Sequence, residues 1–291
     1  MPLRKPAMPR HDACVEAVNA GRGPALETLR VEETGSTNAD LVAWVRKAAP
    51  GTDLEPRLLV ADRQTAGRGR RGRNWHSVPG ASLTFSLAWP MAGTDLSGLS
   101  LAVGAALADA IDPEPLPSLR VGLKWPNDLW LVGSDEPGRK LGGVLIETAP
   151  FGSGRVAVIG VGINVLAQRV ADASTGVACV REIDAHITPE RLLDRLAPAL
   201  ADALQTFEHT GFAAFATRFA ARDLLCGRTV LCGAEESVRI DGVAVGVSSS
   251  GELLVRTPGG IERVFSGEVS VRLGDLGTPT STQRSTARAP C

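Results

Sequence analysis

Between residues 119 and 164 the chain offers four strand-like stretches and no room for a helix between them. Residues 119–124, 128–132, 140–148 and 155–164 are rich in Val, Ile, Leu and Trp, and the widest gap, Gly133–Gly138, is a turn or short loop. A parallel crossover needs a dozen or more residues, so strands joined this tightly pair antiparallel. Upstream, 29–32, 57–62 and 81–89 also read as strands. The last alternates cleanly, with Leu83, Phe85, Leu87 and Trp89 on one face.

Helices are fewer. Ser36, Thr37 and Asn38 are good N-caps for a helix ending near Ala48, before Pro50-Gly51. A very apolar helix over 97–111 is closed by Pro113, Pro115 and Pro117. Residues 188–208 carry a stripe of Leu192, Leu193, Leu196, Leu200, Leu204 and Phe207, and Pro198 predicts a kink. Beyond Gly211, residues 212–222 read as another helix. The fold class that follows is α+β: one mixed, mainly antiparallel sheet with helices on one side.

From about Leu224 the texture changes. Strands over 229–232, 237–247, 253–257, 261–266 and 269–273 are divided by Gly233, Gly242, Gly251 and Gly259-Gly260, which predicts a small β-barrel or sandwich. The expected organisation is an extension over 1–28 with a short weak helix around 12–20, a large domain over 29–223, a small one over 224–274, and a disordered tail over 275–291.

Composition excludes several classes. Net charge is −1 with a pI near 6.5, which does not suit a general nucleic-acid binder. No apolar run reaches the roughly 18 residues that span a membrane, and the N-terminus lacks a signal-peptide pattern. Five scattered cysteines without a C-x-x-C read as free thiols in a cytoplasmic protein. The four histidines have no metal-ligand spacing, so no structural metal is expected.

Against that neutral background, residues 62–75 hold five arginines and one acid, with Gly67, Gly69 and Gly72 between them. Glycine lets backbone approach a ligand, and guanidinium forks make bidentate contacts to phosphate or carboxylate. The G-x-G-x-x-G match is no dinucleotide fingerprint, because Asn74 to Gly80 cannot open a long helix. Two readings remain: a solvated basic loop or nucleic-acid patch, and a phosphate loop of an adenylating enzyme, mobile when empty and settled by ligand.

This run, followed in order by Lys124-Trp125-Pro126-Asn127-Asp128, Lys140-Leu141-Gly142-Gly143-Val144-Leu145-Ile146-Glu147 and Gly160-Val161-Gly162-Ile163-Asn164, resembles the biotin protein ligases. The likeness covers roughly residues 28–273. It implies a class II synthetase-like catalytic domain with a C-terminal SH3-like cap. The activity implied is making biotinyl-5'-AMP from biotin and ATP, then transferring biotin to a lysine of a biotin carboxyl carrier protein. The 28-residue extension is too short for a three-helix DNA-binding domain. A monofunctional ligase is expected, without specific DNA or membrane partners, as a monomer or weak homodimer.

Site roles follow from the resemblance. Ser36, Thr37, Asn38, Gln64, Gly67, Arg68, Gly69, Arg70, Lys140 and Gly143 would bind biotin. Arg70, Arg73, Asn127, Lys140, Asn164 and Arg272 would bind ATP. Lys140, Arg68 and Asp128 would carry the chemistry, Asp128 by orienting or deprotonating the incoming amine. Mg²⁺ is implied by ATP chemistry and by no ligand cluster in the chain. One departure stands out: where a family member has a Trp that stacks on adenine, this chain has Val177-Ala178. Rival readings are a lipoate or octanoate ligase or transferase of the same fold, and a nucleic-acid-binding protein using 63–73.

Overall fold

The computed structural model describes residues 14–18, 26–49, 52–93, 95–113, 120–133, 138–168, 176–233, 240–265 and 270–273. In chain order these form β1 (Cys14–Val18), β2 (Leu26–Thr34), α1 (Thr37–Lys47), β3 (Arg57–Gln64), β4 (Ser82–Met91), α2 (Leu99–Ile111), β5 (Val121–Lys124), β6 (Asp128–Leu131), β7 (Arg139–Phe151) and β8 (Gly154–Asn164). Then come α3 (Pro189–Thr210), α4 (Ala216–Arg222), β9 (Thr229–Gly233), β10 (Ile240–Val247), β11 (Leu253–Thr257), β12 (Gly260–Val264) and β13 (Ser270–Leu273).

The first eight strands make one sheet in the order β1-β2-β3-β4-β8-β7-β6-β5. Only β2 and β3 run parallel, and α1 is the crossover between them. The rest pair antiparallel, as short connections demand. The fold class is thus the expected mixed α+β.

The sheet's two faces are covered differently. Leu58, Val60, Leu83, Phe85, Leu87 and Trp89 point to the side covered by α2 and α3, in one large core. Leu59, Ala61, Ala88, Val156 and Val158 point the other way and pack on Leu41, Trp44 and Val45 of α1. One amendment follows: α1 lies opposite the other helices, because a β2–α1–β3 crossover must place its helix on the face its right-handed turn selects. α3 runs unbroken over 22 residues through Pro198. A 3-10 turn, Gly211–Phe215, precedes α4 where a single helix was expected.

Residues 14–18 are a strand paired with β2, not the weak helix expected around 12–20. Backbone pairing with an open sheet edge outweighs a weak local preference. Cys226 is disulfide-bonded, which corrects the reading of all five cysteines as free thiols; Cys179 and Cys232 are free and buried. The predicted disordered tail, and the extension before Cys14, lie outside the described residues.

β9 to β13 form a second, wholly antiparallel sheet in the order β12-β11-β10-β9-β13. It is tied to the first by specific contacts. Trp125 Nε1 donates to the Gly251 carbonyl at 2.9 Å. Leu224 N donates to the Leu123 carbonyl at 2.9 Å, and the Leu224 side chain fills the space left by the missing Cβ of Gly122.

Candidate active site

A cavity of about 1110 Å³ opens on the sheet face beside α1. Its walls come from segments far apart in sequence: the start of α1, the end of β3 with the arginine loop, the β5–β6 turn, the start of β7 and the middle of β8, with Phe85 of β4 and Arg228 just before β9.

The α1 end is a polar pocket. Ser36 caps the helix by accepting from Ala39 N. Gln64 Oε1 accepts from Thr37 N at 2.8 Å, and Thr37 Oγ1 lies 3.1 Å from the same oxygen and 2.6 Å from Ser86 Oγ. Ser86 donates to Asn38 Oδ1 at 2.6 Å, and Asn38 Nδ2 donates to the Leu145 carbonyl at 3.2 Å and to Glu147 Oε2 at 2.9 Å. Such a network holds each amide in one orientation. Asn38 fits only because Gly160 has no Cβ.

The arginine loop is a small hairpin. Gly69 N donates to the Arg73 carbonyl at 2.7 Å, Trp75 N to the Gly67 carbonyl at 2.9 Å, and Arg68 bridges Asn74. At its tip Arg71 takes a left-handed φ of 58°, a conformation uncommon outside glycine. The Trp75 ring packs against Gly162, where any side chain would collide with it.

Cations crowd the cavity. Arg68, Arg70, Arg71, Arg73, Lys124, Lys140 and Arg228 line the cavity, and Asp128 is its one lining acid among the described residues. Lys140 Nζ sits 2.7 Å from Asp128 Oδ1. Arg70 Nη1 donates to Asn127 Oδ1 at 3.4 Å. Lys124 stands over the Trp130 ring at 4.8 Å. Burial lowers the Lys124 pKa, and neighbouring Lys140 and Arg73 lower it further while Asp128 opposes. Arg70 is lowered chiefly by burial too, against Asp128, with Arg71 and Arg73 adding to the fall. Cations crowded this closely repel one another, and a polyanion relieves that repulsion.

Of the residues singled out from sequence, Ser36, Thr37, Asn38, Gln64, Arg68, Gly69, Arg70, Arg73, Asn127, Asp128, Lys140 and Gly143 meet in this one cavity. Three do not line it. Gly67 lies beneath the loop, where a Cβ would stand 2.5 Å from the Trp75 carbonyl. Asn164 is buried behind the wall, its Nδ2 3.4 Å from the Lys140 carbonyl. Arg272 falls on β13, opposite Leu231; its side chain lies outside the described residues.

Sequence reasoning assigned no role to Trp75, Trp130, Gly160 or Gly162, which also line the cavity. The two glycines did carry a signal: glycine inside an apolar strand marks a close approach. Val177 bridges Lys140, and Ala178 N donates to the Lys140 carbonyl at 2.9 Å, so the Val177-Ala178 segment abuts the start of β7.

Comparison with known proteins agrees with this geometry. The chain matches the Biotin/lipoate A/B protein ligase family over residues 50–164 and the Biotin protein ligase C terminal domain over residues 226–272. It is 35% identical over 246 residues to a biotin--[acetyl-CoA-carboxylase] ligase of Paracoccus denitrificans, covering 81% of this chain and 97% of that one. It is 36% identical over 220 residues to the bifunctional ligase/repressor BirA of Salmonella typhimurium, covering 73% of this chain and 66% of that protein. The match therefore spans just under two thirds of the bifunctional relative's length. Its fold is similar to a biotin protein ligase from Aquifex aeolicus in complex with biotin and ATP, at a TM-score of 0.67 and 29% identity, over 85% of this chain and 99% of that one. On the Paracoccus match, which runs nearly the relative's full length, the chain belongs to the biotin protein ligase family.

Proposed function

We propose that this chain activates biotin with ATP and passes it to a lysine of a biotin carboxyl carrier protein. The observation that carries the reading is the cavity itself: a rigid amide and hydroxyl pocket at the α1 end, in a lining that holds seven cations and, among the described residues, a single acid. A small polar ring with a carboxylate tail fits the pocket, and a nucleotide triphosphate the cations.

In the first step a biotin carboxylate oxygen attacks the α-phosphorus of ATP. The new P–O bond forms as the bond to pyrophosphate breaks. Thr37, Asn38 and Gln64 hold the ring, and Arg68 closes over the tail. Lys140, Arg70 and Arg73 stabilise charge on the phosphate oxygens, the effect that dominates such transfers. In the second step a lysine amine attacks the acyl carbon and AMP leaves; Asp128, beside Lys140, orients the amine and takes its proton.

Among the described residues no three His, Cys, Asp or Glu side chains cluster to hold a metal. ATP chemistry implies Mg²⁺ carried by the nucleotide, an ion that keeps its waters and needs one or two carboxylates besides phosphate. Asp128, with Asn127 beside it, would offer one. Mg²⁺ would neutralise phosphate charge there.

The working division assigns 29–223 to catalysis and 224–274 to the cap, in a cytoplasmic enzyme without specific DNA binding. The test is incubation with ATP, Mg²⁺, biotin and an isolated carrier domain. A biotinylated carrier lysine supports the proposal. No transfer, with lipoate or octanoate accepted instead, overturns it.

A further inference from the structure

Glu147 is on β7, outside the residues that line the cavity, and no role described so far uses it. Its two oxygens reach two different parts of the site. Oε2 accepts from Asn38 Nδ2 at 2.9 Å, in the ring pocket. Oε1 lies 3.8 Å from Arg68 Nη1, on the loop. Asn38 is itself fixed on its other side by Ser86, so this carboxylate hangs from a rigid group rather than from a free side chain. Arg68 is half-exposed, Glu147 one-third exposed. A guanidinium so exposed needs an anchor if it is to hold one position over a ligand.

We propose that Glu147 is a positioning residue. It ties Arg68 to the floor of the ring pocket through Asn38, so that the loop's grip on the bound adenylate depends on the Glu147 charge. The inference rests on the function proposed above and names a residue that the function did not need. Loss of an exposed ion pair of this kind weakens the hold by about twofold to fivefold.

The test uses Glu147→Gln, which keeps an oxygen acceptor for Asn38 and removes only the charge. Labelled biotinyl-AMP is formed on the full chain, and its escape is timed after addition of excess unlabelled biotin. The variant should release it about threefold faster at low ionic strength, with the KM for biotin within twofold of the parent. Salt screens exposed pairs, so the gap between the two proteins should close as salt is raised. Equal escape at low salt, or a gap that salt does not close, overturns the inference. Glu147→Ala gives a second reading: it loses both contacts, so it should raise the KM for biotin as well as speed escape. A carboxylate with only a structural role would lower the melting temperature and leave escape unchanged, which counts against the proposal. If the parent forms no adenylate from biotin and ATP, the proposed function falls and this inference with it; normal adenylate formation with equal escape sinks this inference alone.

Discussion

Lys140 Nζ and Asp128 Oδ1 stand 2.7 Å apart across the β6–β7 pair, beside the irregularity between Leu129 and Trp130. The ammonium is about one-third exposed and faces the cavity with its acid partner beside it. A cation held ready in this way needs no rearrangement when a phosphate oxygen gains charge.

Removal of that cation should therefore strike the first step hardest. Lys140→Ala is expected to slow pyrophosphate release from biotin and ATP by about 10²–10³-fold, the range seen when one preorganised stabilising donor is lost. Asp128→Asn should slow biotin transfer from supplied biotinyl-AMP by about 10²-fold, the low end for a lost general base. Measuring the two half-reactions separately checks both. If each variant slowed both halves equally, the division of labour would be wrong.

Two glycines of β8 make a sharper test of the pocket. A Cβ at Gly160 collides with Asn38, and one at Gly162 with the Trp75 ring. Overpacking of this kind costs about 1–3 kcal/mol. Gly160→Ala and Gly162→Ala are expected to weaken biotin binding about tenfold in calorimetry. Gly35→Ala, where a Cβ meets nothing within 4 Å, should bind as the parent does. Unchanged affinity in both β8 variants would place the biotin ring elsewhere.

The loop tip is exposed, and four arginines lie within six residues. Trypsin should cut the free protein after Arg70 or Arg71, and biotin with ATP should slow that cleavage severalfold. The readout is the fragment pattern over time. Identical cutting rates with and without ligands would mean that the loop does not settle over them.

Much of this was legible in the sequence because the relevant patterns have few other uses. The alternation of Leu83, Phe85, Leu87 and Trp89 marked a strand, and these residues are buried in one core; that the opposite face of β4 is covered as well, by α1, it did not show. An Arg-Gly run inside a neutral chain has no packing role, so it marked the cavity. What stayed hidden depends on contacts between distant segments. The strand at 14–18 has no pattern of its own; the edge of β2 creates it. The side on which α1 packs follows from crossover handedness and not from its own stripe. Glu147 looked like the tail of a motif, because its partners Asn38 and Arg68 are 109 and 79 positions away, and only the fold brings them together.

Asp223 gives the last prediction, on stability. It sits at the end of α4, where the chain turns toward the second sheet, and its Oδ1 accepts from Leu225 N at 2.8 Å. Burial pushes its carboxyl from 3.8 up to about 6, against the opposing pull of the Leu225 and Cys226 backbone donors. The folded value lies above the unfolded one. Its contribution to stability is therefore fully present below about pH 3.8 and is lost as pH rises through 6. A change of that size corresponds to about 3 kcal/mol at the outer limit, or several degrees of melting temperature. Asp223→Asn cannot ionise and keeps an oxygen for Leu225 N. The melting temperature of the variant minus that of the parent should therefore become more positive between pH 4.5 and 7.5. Parallel melting curves across that window would show that Asp223 does not titrate there, and that burial at this turn costs the carboxylate far less than its surroundings imply.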